Sequence, residues 1–138
     1  MYSSKRVMPC MVTLPDGSFM ILNGAHQGVA GFGLASNSNF SALLYDPTHW
    51  QPVGSRFSIL ANTTIAQMYH PEATLLPDGR VLVLGSDMDT PGLPEELRIE
   101  AYIPPYLSQG VTQPVVTVPN PDWAYGGQYQ INVQLFQG

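Results

Sequence analysis

The chain has 138 residues, which is enough for one small domain or for parts of two. Its 44% hydrophobic residues exclude disorder throughout, and its 13 Gly and 13 Pro favour short strands and turns over a helical bundle. The formal net charge of −5 argues against nucleic acid as a partner, and no apolar run approaches the ~18 residues that span a bilayer, so we expect no membrane partner.

One short sequence occurs twice in the chain. Leu-Pro-Asp-Gly stands at 14–17 and again at 76–79, each time between two apolar runs. Proline fits the fixed φ of a turn, the Asp side chain can bond to the backbone, and glycine takes the position with positive φ. The repeat therefore predicts two β-hairpins, over residues 11–24 and 73–86.

The residues between and after the hairpins predict further strands. The run 42–47 is apolar and stops at Pro47, and the run 97–103 alternates apolar and polar residues as a half-buried strand does. Strand pairs at roughly the ~50-residue spacing of kelch blades, with Trp50 after the third strand, favour a β-propeller with a loop insertion. A generic antiparallel sandwich explains the same periodicity, and periodicity alone does not separate the two.

The pattern changes after residues 104–105, which are both proline. Residues 108–110 have the composition of a linker, and the runs 115–118 and 129–135 predict two more strands. Because two strands rarely stand alone, we interpret this region as the start of a second domain. The predicted boundary divides the chain into 1–107 and 108–138.

Tyr69 and His70, just before the second hairpin, have the chemistry of a metal site. A phenolate oxygen and a neutral imidazole are both ligands for Cu(II). Since adjacent residues of a regular strand point to opposite faces, both can reach one metal only if the chain bends there. Pro71 disfavours the α region at His70 and so predicts an irregular, extended conformation. The alternative is a buried tyrosine beside a histidine that bonds to a loop carbonyl.

Several stretches resemble the copper radical oxidases, especially glyoxal oxidase and its relative galactose oxidase. The most specific is Tyr-His-x-Glu-Ala-x-Leu-Leu-Pro-Asp-Gly, which starts at Tyr69 within the matching run 62–83. The segments 23–31, 100–107 and 123–127 are similar to a loop of the glyoxal oxidases, to the exit from their propeller and to the opening of their C-terminal domain. The resemblance covers nearly the whole chain.

The resemblance implies an all-β fold and a copper site. Residues 1–107 would form the last two blades of a seven-bladed kelch-type β-propeller, and residues 108–138 the first strands of an immunoglobulin-like (early set) sandwich. Tyr69 would be the axial tyrosine and His70 a copper ligand. The other two protein ligands, a tyrosine cross-linked to a cysteine and a second histidine, would lie upstream and downstream of this chain. Pro71 is a departure, because members of the family often have serine there.

The resemblance also implies an activity. The parent protein would be a secreted oxidase that converts aldehydes or primary alcohols with O₂ and releases hydrogen peroxide, with Tyr69 accepting the hydroxyl proton of the substrate. This chain alone would lack the radical cofactor, the rest of the propeller and the rest of the C-terminal domain, and we expect it to be inactive. The alternative is a metal-free kelch-type segment that binds protein or glycan, in which Tyr69 and His70 are a packing pair.

The remaining candidate residues have simpler interpretations. Cys10 matches no ligand of the copper site, and we interpret it as a buried structural thiol. His26 and His49 are expected on loops, and the glycines of residues 24–33 are expected to form a flexible loop at the propeller rim. Two asparagines fit the pattern of an N-glycosylation acceptor, Asn39 and Asn62.

Overall fold

A computed structural model describes residues 5–47, 52, 55–86, 95–108, 110 and 112–136. His49 and Trp50, which the sequence placed on a loop and after the third strand, lie outside the described residues. The chain divides into two compact units, Met1–Pro104 and Pro105–Gly138. No helix in the described part of the chain is long and apolar enough to cross a membrane.

Nearly all regular structure in the described residues is β, which confirms the all-β prediction. The exception is a single helical turn in the second unit, α1 (Pro105–Ser108). In chain order the strands are β1 (Cys10–Thr13), β2 (Phe19–Leu22), β3 (Ala25–Gly28), β4 (Ala35–Ser38), β5 (Leu43–Tyr45), β6 (Phe57–Ile59), β7 (Glu72–Leu75), β8 (Val81–Leu84), β9 (Glu100–Tyr102), β10 (Val115–Thr117) and β11 (Asn132–Gln134).

Both predicted hairpins are present, as β1–β2 and β7–β8, and both are antiparallel. In each turn the Asp side chain accepts a hydrogen bond from the backbone N–H two residues later, at 2.9 Å in the first turn and 3.1 Å in the second. Gly17 and Gly79 have φ of +82° and +87°, which glycine adopts without a steric penalty. The repeated Leu-Pro-Asp-Gly sequence thus forms the same turn twice.

The described strands of the first unit form three antiparallel sheets. The first sheet has the order β1-β2-β5-β6, the second has the order β7-β8-β9, and β3 and β4 form a separate two-stranded ribbon. Strand β5 confirms the strand predicted within 42–47. Strand β6 was not predicted; it pairs with β5, and the ring of Phe57 lies 5.0 Å from that of Tyr45.

Two predictions about the strands were wrong. The strand expected over 97–103 is only Glu100–Tyr102, which pairs with residues Val81–Val83 of β8. The glycine-containing segment 24–33, expected as a flexible loop, instead contributes β3 to the β3–β4 hairpin. The alanines that begin β3 and β4 are both buried, which gives this glycine-rich ribbon an apolar anchor.

The core of the first unit is built from the buried faces of the two hairpins. Alternate residues of β2 and β8 are fully buried, and the first strands of the two hairpins, β1 and β7, lie against each other. This arrangement brings together the two segments that lead into the hairpins, residues 5–9 and 67–71. The candidate site lies where these two segments meet.

Candidate metal centre at Tyr69 and His70

The segment that carries the candidate ligands is fixed at the ends of both hairpins. Gly24, after β2, donates its N–H to the carbonyl of Gln67 at 3.0 Å. Ser86, after β8, donates its N–H to the carbonyl of Tyr69 at 2.6 Å, and the Ser86 hydroxyl accepts the N–H of Met68 at 3.4 Å. Residues 67–69 are therefore held by backbone bonds from two sheets, which restricts the position of the Tyr69 side chain.

The Tyr69 side chain is buried, with 2% of the residue exposed. Its ring belongs to a cluster with Ala25, Ala35 and Met68. The phenol oxygen accepts a hydrogen bond from the Ala35 N–H at 2.7 Å. The small alanines of β3 and β4 leave room for the ring, so the β3–β4 ribbon determines where the phenol oxygen lies.

The chain bends at His70, whose φ is +46°. The extended conformation predicted from Pro71 was therefore wrong, since His70 takes the left-handed region that few residues other than glycine adopt. Gly85 accommodates this bend: a Cβ at that position would lie 2.5 Å from the His70 carbonyl oxygen. The His70 residue is exposed, in contrast to Tyr69.

Tyr69 and His70 line one pocket of about 260 Å³. Adjacent residues of a regular strand would point to opposite faces, so the bend at His70 is what allows both to reach the same space. The pocket is lined by Met8, Ala30, Gly31, Phe32, Tyr69 and His70.

The donor atoms at this pocket fit a part of a copper site. A phenol oxygen and an imidazole nitrogen are donors that suit Cu(II), and the bond from Ala35 leaves the phenol oxygen a further lone pair. No group of three or more His, Cys, Asp or Glu residues with metal-binding geometry occurs among the residues that the structure describes. Among the residues that line the pocket, Tyr69 and His70 are therefore the two candidate donors.

Comparison with known proteins gives the family. Residues 1–106 match the sequence model of the family described as glyoxal oxidase N-terminus. The chain belongs to this family. The family membership confirms the resemblance to glyoxal oxidase that the Tyr69–Gly79 sequence indicated.

Three similar curated proteins are much longer than this chain. A WSC domain-containing protein of Arthroderma benhamiae is 58% identical over 130 residues, covering 94% of this chain and 14% of that protein. Aldehyde oxidase GLOX1 of Arabidopsis thaliana is 40% identical over 143 residues, covering 97% of this chain and 23% of that protein. Aldehyde oxidase GLOX of Vitis pseudoreticulata is 42% identical over 137 residues, covering 94% of this chain and 26% of that protein. The chain spans about a seventh to a quarter of the length of these relatives.

In this member of the glyoxal oxidase family Cys10 is a buried thiol, as the sequence indicated. It begins β1, faces the core, and its Sγ–H donates to the Leu22 carbonyl at 3.5 Å. Burial raises the pKa of the thiol from 9.0 to about 11. A thiol with this pKa stays protonated and unreactive at neutral pH.

The other histidine that the structure describes is not on a loop. His26 lies on β3, and its Nδ1 is 3.4 Å from the Asn39 amide nitrogen. Asn39 is itself buried, and its Oδ1 accepts hydrogen bonds from Arg6 and from the Ser41 N–H. The folded structure therefore leaves no room for a glycan on Asn39. Asn62 is exposed and remains a predicted acceptor.

Sequence reasoning missed two residues of the site: Met8, which lines the pocket, and Ala35, whose N–H bonds to the phenol oxygen of Tyr69. Ala35 follows a glycine-rich stretch and acts through its backbone N–H, for which no side-chain signal exists. A signal for Met8 was present, because Val7, Met8 and Pro9 precede the first hairpin as Tyr69-His70-Pro71 precede the second.

Proposed function

We propose that this chain is part of a copper radical oxidase that converts aldehydes or primary alcohols to more oxidised products while O₂ is reduced to hydrogen peroxide. The observation that carries the proposal is the bend at His70, which lets the consecutive Tyr69 and His70 line one pocket. In this reaction a primary alcohol, or an aldehyde that has first added water to form its hydrate, loses two electrons and two protons, and O₂ takes them up as H₂O₂. Membership of the glyoxal oxidase family and the aldehyde oxidase names of two relatives support it.

Tyr69 would serve as the proton acceptor. Its side chain is buried, which excludes water from most of the ring, and Tyr69 is one of the residues that line the pocket. The Ala35 N–H points at this oxygen and would stabilise a phenolate form through a charge-assisted hydrogen bond. The proton of a substrate hydroxyl in the pocket would pass to Tyr69 Oη, in the manner of a positioned general base.

His70 would hold the metal through an imidazole nitrogen at the same pocket. A bound copper, together with a Cys–Tyr radical cofactor from the upstream part of a longer protein, would supply the one-electron chemistry that this oxidation needs. The residues of this chain would supply the proton acceptor, one nitrogen ligand and the walls that exclude water.

The proposal includes the architecture of the longer protein. Residues 1–107 would form blades of a kelch-type β-propeller, and the four-stranded antiparallel sheet β1-β2-β5-β6 has the strand number of one blade. Residues 108–138 would begin an immunoglobulin-like domain, of which β10 and β11 would be the first strands. The protein would be secreted, and Asn62 would then be available for a glycan.

Copper content and peroxide release of the full-length protein test this function. We expect about one copper per protein by elemental analysis, and hydrogen peroxide from an aldehyde or a primary alcohol that disappears when catalase is added. The metal-free kelch-type segment is the rival function. For this comparison the full-length protein is loaded with copper salts and dialysed. If it then holds no copper and releases no peroxide, the result favours the metal-free segment.

A further inference from the structure

In the lead-in segment of each hairpin, the residue before the proline has a positive φ. Met8 precedes Pro9 and has φ of +51°, while His70 precedes Pro71 and has φ of +46°. Before them, Val7 is bonded to Ala25 through both its N–H and its carbonyl, at 2.9 and 3.0 Å. Tyr69 is likewise bonded through its carbonyl to the segment after β8. Met8 is therefore the structural counterpart of His70 in the first repeat.

A glycine lies close to the backbone of each lead-in segment. A Cβ on Gly24 would collide with the backbone carbonyl of Val7, as a Cβ on Gly85 would with that of His70. A residue other than glycine with positive φ is uncommon and indicates a constraint at that position. Met8 and His70, which precede strands of two different sheets, thus both have positive φ and both line the pocket.

The side chain of Met8 takes part in the Tyr69 site. Met8 lines the pocket with Tyr69 and His70, and it packs against the cluster of buried residues that contains the Tyr69 ring. A methionine side chain is flexible and apolar, and it adapts to the shape of a neighbouring apolar group.

The pocket has the size and chemistry for a small uncharged group. At the ~30 Å³ that a water molecule occupies in the liquid, its volume of about 260 Å³ holds roughly eight or nine non-hydrogen atoms. The described lining residues include no Lys, Arg, Asp or Glu. A charged substituent against the apolar lining residues would therefore gain no ion pair with Lys, Arg, Asp or Glu.

We infer that Met8 is a specificity-determining residue, whose side chain contacts the carbon chain of the substrate, and that the preferred substrates carry a short, uncharged alkyl group. This inference rests on the proposed function, because the carbonyl or hydroxyl end of the substrate is placed at Tyr69. Met8 of the first repeat would contact the apolar part of the substrate, and Tyr69 of the second repeat would contact its polar end.

Turnover by the full-length, copper-loaded protein gives the first test. From acetaldehyde through butanal to hexanal, kcat/KM should rise by about threefold for each methylene that the pocket buries. Met8→Gln keeps the length of the side chain but adds an amide, and we expect it to raise KM for hexanal about tenfold with little change in kcat. Met8→Leu should keep the preference. Met11→Gln is the matched control, because Met11 is 62% exposed on β1.

Binding to the copper-free full-length protein gives a second test that needs no turnover. Pentanamide and acetamide carry a carbonyl group that is not oxidised, and calorimetry measures their affinities. We expect the wild type and Met8→Leu to bind pentanamide at least tenfold more tightly than acetamide, and Met8→Gln to lose this difference. Circular dichroism checks that each variant is folded.

The outcomes separate the two proposals. If no aldehyde is oxidised but pentanamide binds in a Met8-dependent way, the oxidase function is wrong and the apolar site stands. If aldehydes are oxidised without preference for chain length and the wild type binds both amides equally, the inference about Met8 is wrong. Equal pentanamide affinity of Met8→Gln and Met8→Leu would also overturn it.

Discussion

The phenol oxygen of Tyr69 accepts a hydrogen bond from the backbone N–H of Ala35 at 2.7 Å. Tyr69 precedes the second hairpin, whereas Ala35 begins the second strand of the ribbon that follows the first hairpin. The ribbon that follows the first repeat therefore positions the phenol group that precedes the second hairpin. This relationship gives the β3–β4 ribbon a role at the site besides that of a connection.

Replacement of Tyr69 by Phe tests the phenol oxygen. In the full-length protein Tyr69→Phe should lower turnover by about 10²- to 10⁴-fold, the effect of a lost general base, while copper stays bound. The variant also leaves the Ala35 N–H without its partner, which should cost about 1–3 kcal/mol of stability. Peroxide release, copper content and thermal unfolding measure these effects.

Tyr102→Phe is the matched control for that variant. Tyr102 is also buried, and its hydroxyl donates to the Ala61 carbonyl at 2.8 Å, away from the pocket. Its loss should cost about 1 kcal/mol of stability and leave turnover unchanged. Equal losses of turnover in the two variants would mean that the phenol of Tyr69 has only a structural role.

Replacement of His70 by Asn tests the proposed metal ligand. Asparagine tolerates the positive φ at this position better than most residues, so the backbone bend is preserved. Loss of a residue that only hydrogen-bonds to a metal ligand weakens metal binding by ~10- to 100-fold. Because His70 would be a ligand itself, we expect His70→Asn to weaken copper binding by at least that much. His26→Asn, on β3, should keep the copper of the wild type. Full copper content in His70→Asn would exclude this histidine as a ligand.

Replacement of Gly85 by Ala tests the bend itself. The added Cβ would lie 2.5 Å from the His70 carbonyl oxygen, so the backbone of one segment has to move. Gly17→Ala is the matched control, since Gly17 also has positive φ but a Cβ there meets nothing within 4 Å. Gly17→Ala should cost about 1–2 kcal/mol of stability, the strain of a left-handed residue alone. Gly85→Ala should cost more and should also reduce copper binding, which Gly17→Ala should not.

The sequence predicted the parts of this fold that depend on local chemistry. Both hairpins follow from a turn sequence whose proline, aspartate and glycine each have a separate structural reason, and Tyr69 and His70 could be recognised as a pair of donors. The β3–β4 ribbon could not be predicted, because its two strands lack periodic apolar residues. They are stabilised by burial of Ala25 and Ala35 beside Tyr69, which is distant in the sequence.

The conformation of His70 shows why the site geometry was not predictable. The local rule for a residue before proline favoured an extended chain, and the tertiary structure overrode it. The close approach of Gly85 to the His70 carbonyl and the bond from Ser86 to Tyr69 come from a strand that follows later in the chain. Such long-range contacts leave no signal in the residues next to His70.

The buried thiol of Cys10 predicts a change of stability at alkaline pH. Its pKa is raised by burial from 9.0 to about 11, so above pH 9 the unfolded chain releases this proton while the folded chain keeps it. The unfolded state is then favoured, and the contribution of Cys10 to stability falls as the pH rises from about 9 to 11. Urea unfolding of the wild type and of Cys10→Ala over this range should give a difference that shrinks with pH. A difference that is constant with pH would contradict the assignment of a protonated, buried thiol.

The two strands of the second unit predict how this 138-residue chain behaves by itself. All residues of β10 and β11 are exposed, among them Val116, which lies opposite Val133. A two-stranded ribbon is at best marginally stable, and its unpaired edges bind other strands unless charged residues or prolines protect them. We therefore expect the isolated chain to form oligomers or aggregates, which size-exclusion chromatography with light scattering would detect.

A lysine substitution in β10 tests whether the exposed β10–β11 ribbon causes the association. Val116→Lys places a charge on the strand and should reduce association, since charged residues on exposed strands oppose strand pairing. Leu97→Lys makes the same change in charge at an exposed apolar residue outside the strands, and it should have a smaller effect. A wild-type chain that is a monomer and unfolds in one sharp transition would contradict the prediction, because the exposed ribbon would then need no further strands to be stable.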